Sequence, residues 1–132
     1  MTRREIRENV FKILFRIEFH DRETFLEQID LMKEECENLK EEDFTYIKDK
    51  CVSIFEKKDE IDTAINSMTK GWKTTRMNKV DLSLIRLAVY EIKFEEDIPY
   101  KVSVNEVVEL AKKYGTDESA SFVNGVLAKF SC

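Results

Sequence analysis

The sequence predicts an all-α fold of about seven helices with short connections. Three observations carry that expectation. Apolar residues recur every three or four positions along most of the chain, and nowhere do they alternate as in a half-buried strand. Only three Gly and one Pro occur in 132 residues, too few turn formers for an all-β chain. Helix starts carry capping residues in register with the apolar pattern behind them.

Thr2 and Glu5 form the T-x-x-E pattern of a capping box. Behind them Ile6, Val10, Ile13, Leu14 and Ile17 line one face of a first helix, and Arg4, Arg7, Phe11 and Phe15 make a second, basic-aromatic face. Thr24 and Glu27 repeat the capping pattern, and Phe25, Ile29, Met32, Cys36 and Leu39 keep helical spacing. Glu41, Glu42 and Asp43 suit the positive end of a third helix, whose stripe is Phe44, Ile47, Cys51, Ile54 and Phe55. Asp59 is the expected cap of a short fourth helix holding Ile61, Ala64, Ile65 and Met68. Gly71 ends it, and Trp72 opens a connection rich in Lys, Thr and Arg.

From about Asn78 to Phe94 the apolar residues nearly surround the helix: Val80, Leu82, Leu84, Ile85, Leu87, Ala88, Val89 and Ile92. Such a helix is central and mostly buried. Arg86 within it is expected to be paired internally, with Glu91 as one partner on offer, because a buried unpaired guanidinium is very costly. Pro99 breaks the chain. Ser103 and Glu106 form a further capping box, with Val102 and Val107 as its hydrophobic staple, ahead of the stripe Val104, Val107, Val108 and Ala111. Lys112 and Lys113 fall in the last turn and Gly115 follows as the residue after the cap. Thr116, Asp117 and Glu118 start the last helix, with Val123, Val126, Leu127 and Phe130 as its stripe.

Composition narrows the function. One domain spanning residues 1–132 is expected at this length, with 42% apolar residues for a core and 37% charged residues for a solvated surface. No apolar run is long enough to cross a membrane. The start, MTRREIREN, is too charged for a secretory signal, so the expectation is a cytoplasmic protein with no membrane partner. Cys36, Cys51 and Cys132 are odd in number and lack CxxC spacing, which suits reduced thiols. His20 is the lone histidine, and the chain has no metal-ligand spacing, phosphate-cradling glycine loop or nucleophile elbow. The expectation is therefore a binding module, not an enzyme, with neither cofactor nor metal.

The net charge of −5 is uneven: residues 23–66 carry −8, residues 1–22 carry +2 and residues 67–132 carry +1. A binder held by phosphate contacts alone is usually basic. Nucleic-acid binding here would need a local patch or a basic partner on the acidic side. The other reading of the acidic stretch is a solvated face.

A few residues stand apart from core periodicity. Arg3, Arg4 and Arg7 occupy the first two turns of the first helix, as phosphate contacts or as surface charge paired with Glu5 or Glu8. Phe122 lies roughly 90° around the helical wheel from the centre of the Val123, Val126 and Leu127 stripe. An aromatic at that edge either stacks on an unpaired base or packs on a neighbouring helix. Gly125 costs about 1 kcal/mol against Ala in the same helix, which points to close backbone approach by another helix or by a ligand. Tyr100 and Lys101, after Pro99 in an exposed connection, suit stacking and phosphate contact. Phe15 sits on the basic-aromatic face of the first helix, where packing explains it equally well. Arg76 and Asp81 flank the start of the central helix, Asp81 as an exposed first-turn acid with a dipole role as the plainer alternative.

Three blocks resemble the NusB family of bacterial transcription antitermination factors. They are the Arg-rich start, the run Val80-Asp81 through Leu84-Ile85-Arg86-Leu87-Ala88-Val89-Tyr90-Glu91, and the stretch from Ile98-Pro99-Tyr100-Lys101 to Phe122-Val123-Asn124-Gly125-Val126-Leu127. The last two are specific in order and spacing. The resemblance runs from about Arg3 to about Lys129. It implies two packed helical bundles and pairing with the small-subunit ribosomal protein that acts as NusE. It further implies binding of boxA RNA in ribosomal RNA leaders and loading onto the RNA polymerase antitermination complex. By the same resemblance, Arg3, Arg4, Arg7, Phe15, Tyr100, Lys101, Phe122 and Asn124 are RNA-binding candidates, and Arg76 and Asp81 are partner-binding candidates. Related proteins occur as monomers and as homodimers, and the resemblance leaves monomer and homodimer both open. Glu5 and Glu8 dilute the arginine cluster, and the sequence ends soon after the last predicted helix. Two other readings remain: a helical protein–protein adaptor without RNA, and a domain related to that of ribosomal RNA cytosine methyltransferases.

Overall fold

The computed structural model describes residues 1–16 and 21–131. Ile17, His20 and Cys132, named above, lie outside the described residues. All regular structure among the described residues is helical, in two compact units, Met1–Glu56 and Lys57–Cys132.

The first unit holds α1 (Arg3–Phe15), α2 (Arg22–Glu35) and α3 (Glu41–Glu56). The capping box at Thr2 is formed: the Glu5 amide donates to Thr2 Oγ1 at 3.1 Å, and the Thr2 amide donates to Glu5 Oε1 at 3.2 Å. The second helix starts earlier than expected. Asp21, not Thr24, is its cap, and Asp21 Oδ1 accepts from the Thr24 amide at 2.9 Å. Two overlapping patterns compete here, and a carboxylate at the helix N-terminus also gains from the dipole. The core joins Val10, Phe11, Ile13 and Leu14 to Phe25, Ile29 and Met32 and to Phe44, Ile47, Cys51 and Ile54, all buried. Phe25 and Phe55 stack with centroids 4.9 Å apart. Burial pushes the Cys51 thiol well above its ordinary range.

The second face expected on α1 turns partly inward. Arg7 is 7% exposed and Phe11 3%. The reason is spacing: Arg7, Phe11 and Leu14 sit at i, i+4 and i+7, one line on the helix surface.

The second unit holds α4 (Lys58–Met68), a short 3-10 turn (Thr74–Arg76), α5 (Lys79–Phe94), α6 (Tyr100–Tyr114) and α7 (Ser119–Ala128). α5 is its axis, packed against α4, α6 and α7, with every residue from Asp81 to Glu91 buried. Two of its buried charges face different neighbours. Arg86 makes a bidentate pair with Asp62 of α4, Nε to Oδ1 at 2.8 Å and Nη2 to Oδ2 at 2.7 Å. Glu91 accepts from Ser103 Oγ of α6 at 2.7 Å. The internal partner expected for Arg86 is thus Asp62 of the neighbouring helix.

Three boundaries also shift. Asp59 is not the cap of α4; Lys57 holds that position, and Asp59 and Glu60 sit in the first turn, where they suit the dipole. α6 begins at Tyr100 behind Pro99, whose fixed φ prepares the first turn, so Ser103 faces inward instead of capping and Val102 is left exposed. Gly115 is extended (φ −98°) and not left-handed. A Cβ there would collide with the Ser119 hydroxyl and come 2.8 Å from the Ala111 carbonyl. Ser119 Oγ accepts from the Thr116 amide at 2.9 Å, which closes the turn before α7.

Asp62→Ala leaves the Arg86 guanidinium without its carboxylate and is expected to cost about 2–4 kcal/mol, somewhat below the full loss for a pair buried on both sides. Urea unfolding measures it, and Arg86→Met in the same background should recover part of the loss. The Thr2 backbone N–H, and then the Thr2 hydroxyl, hold the Glu5 carboxyl below its ordinary value. A depressed folded-state pKa contributes stability that is complete above the unfolded value and is lost as pH falls through the folded one. Acidification through the carboxylate range should therefore fray α1, read as faster hydrogen exchange at the Glu5 amide, and Glu5→Gln should flatten that dependence.

Candidate nucleic-acid interface

In the first unit, Arg3 and Arg4 are exposed on the opening turn of α1, whereas Arg7 is nearly buried and interacts within the chain. Glu5 serves the capping box, and Glu8 lies 3.8 Å from Lys12. Phe15 is half-buried, tilted against Phe11 at a centroid distance of 6.4 Å.

In the second unit, the structure brings four of the expected residues onto α6 and α7. Tyr100 is the first residue of α6, not part of an exposed connection, and its hydroxyl donates to the Leu127 carbonyl at 2.8 Å. The same carbonyl accepts from the Phe130 amide at 2.9 Å, so the Tyr100 hydroxyl adds a further bond at the end of α7. Lys101 beside it is exposed. Phe122 is half-buried, as its wheel position predicts, and Asn124 is exposed.

Gly125 is exposed, and a Cβ built on it meets nothing within 4 Å. Close approach of another helix of this chain is therefore not what requires glycine there. The Phe122 ring meets Trp72 edge to face, with centroids 5.4 Å apart and planes at 65°. Trp72 was absent from the sequence candidates. The signal that marks it is a lone Trp within Lys70-Gly71-Trp72-Lys73, a run of cations without an acid.

Arg76 closes the 3-10 turn and is exposed. Asp81 is 5% exposed, so the expectation of a solvent-facing acid is corrected. It completes the cap of α5 instead. The Asp81 amide donates to Asn78 Oδ1 at 2.8 Å and Asn78 Nδ2 donates to Asp81 Oδ2 at 3.0 Å. Oδ1 of Asp81 is buried with no hydrogen-bond partner among the described residues. Among the described residues no cluster of His, Cys, Asp and Glu could hold a metal, and no helix is long and apolar enough to cross a membrane.

Comparison with known proteins gives this arrangement a lineage. The NusB family model matches residues 4–131. The chain belongs to the NusB family. It is 62% identical over 131 residues to the transcription antitermination protein NusB of Agathobacter rectalis, covering 99% of this chain and 100% of that one. It is 50% identical to the protein of the same name from Lachnoclostridium phytofermentans, covering 98% of each. Among solved structures, T. maritima NusB superposes with a TM-score of 0.85 at 37% identity, over 98% of this chain and 89% of that one. A chain in a structure described as "Crystal Structure of a Plectonemic RNA Supercoil" superposes with a TM-score of 0.82 at 26% identity, over 97% of this chain and 93% of that one. Membership in the NusB family makes transcription antitermination the role of the chain at the family level.

Gly125→Ala adds a helix-favouring methyl where, among the described residues, a Cβ meets nothing within 4 Å. It is expected to stabilise the folded protein by about 0.5–1 kcal/mol in thermal or urea unfolding. A loss of stability would mean that α7 has packing at this position that the structure does not contain.

Proposed function

We propose that this NusB-family chain acts as one half of an RNA-binding pair. The other half is the small-subunit ribosomal protein acting as NusE. The ligand is boxA RNA of ribosomal RNA transcripts, and the pair joins the RNA polymerase antitermination complex. The surface of α7 supports this reading most. It presents a half-buried aromatic at Phe122, an exposed amide at Asn124 and, at Gly125, an exposed backbone with open space beside it among the described residues. A ring that stacks and an amide that hydrogen-bonds a base edge are the groups used on unpaired bases.

Arg3, Arg4 and Lys101 carry exposed charge suited to phosphates. Arg7, largely interior, is assigned to anchoring α1, and Phe15 and Tyr100 offer the remaining edges of their half-buried rings. RNA as ligand class is in keeping with the solved relative in an RNA supercoil structure. On the partner side, Arg76 is the exposed contact, and Asp81 acts through the cap it forms with Asn78. A basic ribosomal protein is matched electrostatically by the −8 stretch at residues 23–66.

The test is a titration of single-stranded boxA-type RNA against the chain, the partner and the two together. The pair is expected to bind much more tightly than the chain alone, since an acidic chain with few exposed arginines makes few phosphate contacts. Equal affinity with and without the partner would sink the pairing. Partner binding to which RNA adds nothing would favour the adaptor reading.

Within the pair, Phe122→Ala should weaken RNA binding by about 1–3 kcal/mol with little change in salt dependence, because no charge is removed. Arg4→Ala should weaken it and flatten the salt slope. Arg76→Glu should reduce affinity for the partner in calorimetry while the melting temperature stays at the parent value.

A further inference from the structure

We infer that Trp72 is a base-stacking residue, forming with Phe122 a two-ring platform for a second nucleotide of the same single-stranded RNA, flanked by Lys70 and Lys73. This rests on the RNA-binding reading of α7 and extends it to the connection between α4 and α5.

A single exposed aromatic needs no explanation. Exposure, ring geometry, a fixed backbone and charge set Trp72 apart. It is 58% exposed, more than any other large apolar side chain described. Its ring is paired edge to face, an arrangement that covers one ring face in all, whereas a parallel stack would cover one on each ring. Ring face is therefore left for a base beside Phe122.

Its backbone is also fixed before any ligand arrives. The Trp72 amide donates to the Thr69 carbonyl at 3.4 Å, across a turn in which Gly71 has a φ of 86°. The Thr69 side chain is buried, and its hydroxyl lies within hydrogen-bond distance of the Ile65 and Trp72 carbonyls. Two residues later the Thr74 amide donates to Asn66 Oδ1 at 2.8 Å. A ring held this way loses little freedom on binding.

The last property is charge. Lys70, Lys73, Arg76 and Lys79 are all exposed, and no Asp or Glu lies between Lys70 and Lys79, in a chain of net charge −5. Among the described residues Lys70 and Lys73 form no ion pair. An aromatic platform within a run of cations is the pattern of a single-strand nucleic-acid surface: bases stack while the backbone runs along positive charge. An apolar protein surface docking on the same ring would bring those lysines toward its own apolar atoms at a desolvation cost.

The experiment uses the full chain with its protein partner and a fluorescein-labelled single-stranded boxA-type RNA. Affinity is measured by anisotropy for the parent, Trp72→Ala, Trp72→Leu, Trp72→Phe and Phe122→Ala, with melting temperatures alongside. Trp72→Ala and Trp72→Leu are expected to weaken RNA binding roughly 5- to 150-fold, the range for losing one stacking platform. Trp72→Phe should restore most of the affinity. Binding at the parent level by Trp72→Ala, with Phe122→Ala still impaired, overturns the assignment and leaves the RNA reading of α7 standing. Full affinity in Trp72→Leu overturns it as well, because filling the contact with Phe122 would then suffice. Weaker binding of Trp72→Ala to the partner without RNA would assign the ring to protein contact and overturn it too. No RNA binding by the parent pair overturns both readings.

Discussion

The second unit depends on the complete burial of α5. A helix sealed on every side from Asp81 to Glu91 cannot leave a charge to water, yet its sequence carries Asp81, Arg86 and Glu91 in that span. Asp81 is held in the cap by Asn78, and Arg86 and Glu91 are met from neighbouring helices, by Asp62 and by Ser103. These two contacts do more than satisfy the interior. Apolar side chains that bury about 1.5–3 kcal/mol each are tolerant of small slips between helices. A bidentate guanidinium–carboxylate pair is not, because its two bonds fix distance and angle together. On opposite sides of α5 they set the register of α4 and α6, and hence where α7 and the connection through Trp72 can present their side chains.

The parts of this arrangement legible in the sequence share one property: their cause is local. α5 could be read because apolar residues surround it, and Thr2 because both halves of its capping box lie within four residues. What could not be read depended on distant partners. Asp62 lies 24 residues from Arg86, and no periodicity names it. Asp21 and Thr24 both fit the capping pattern, and residue type alone does not choose between them; the helix is capped at Asp21. Ser103 was misread as a cap because its inward role depends on Glu91 of another helix.

The same division applies to the candidate interface. Phe122 was legible from its angle to the apolar stripe, and the open space around Gly125 narrows why glycine is there. Arg7 and Asp81 were taken for surface charges because residue type suggests solvent, although the line from Arg7 through Phe11 to Leu14 already pointed inward. Trp72 was passed over because a connection has no period against which an aromatic can stand out. Only its contact with Phe122, fifty residues away, gives it a place beside α7.

Cys51 has no place in recognition, yet its position has a use of its own. It lies at the centre of the first unit at 0% exposure, with its thiol held protonated by burial. A thiolate forms there only when the three-helix core opens, so the rate at which an alkylating reagent reaches Cys51 clocks the opening of that unit. The lone tryptophan belongs to the other unit. Each unit thus carries a native probe, and comparing them tells whether the two units unfold in one cooperative event or in two.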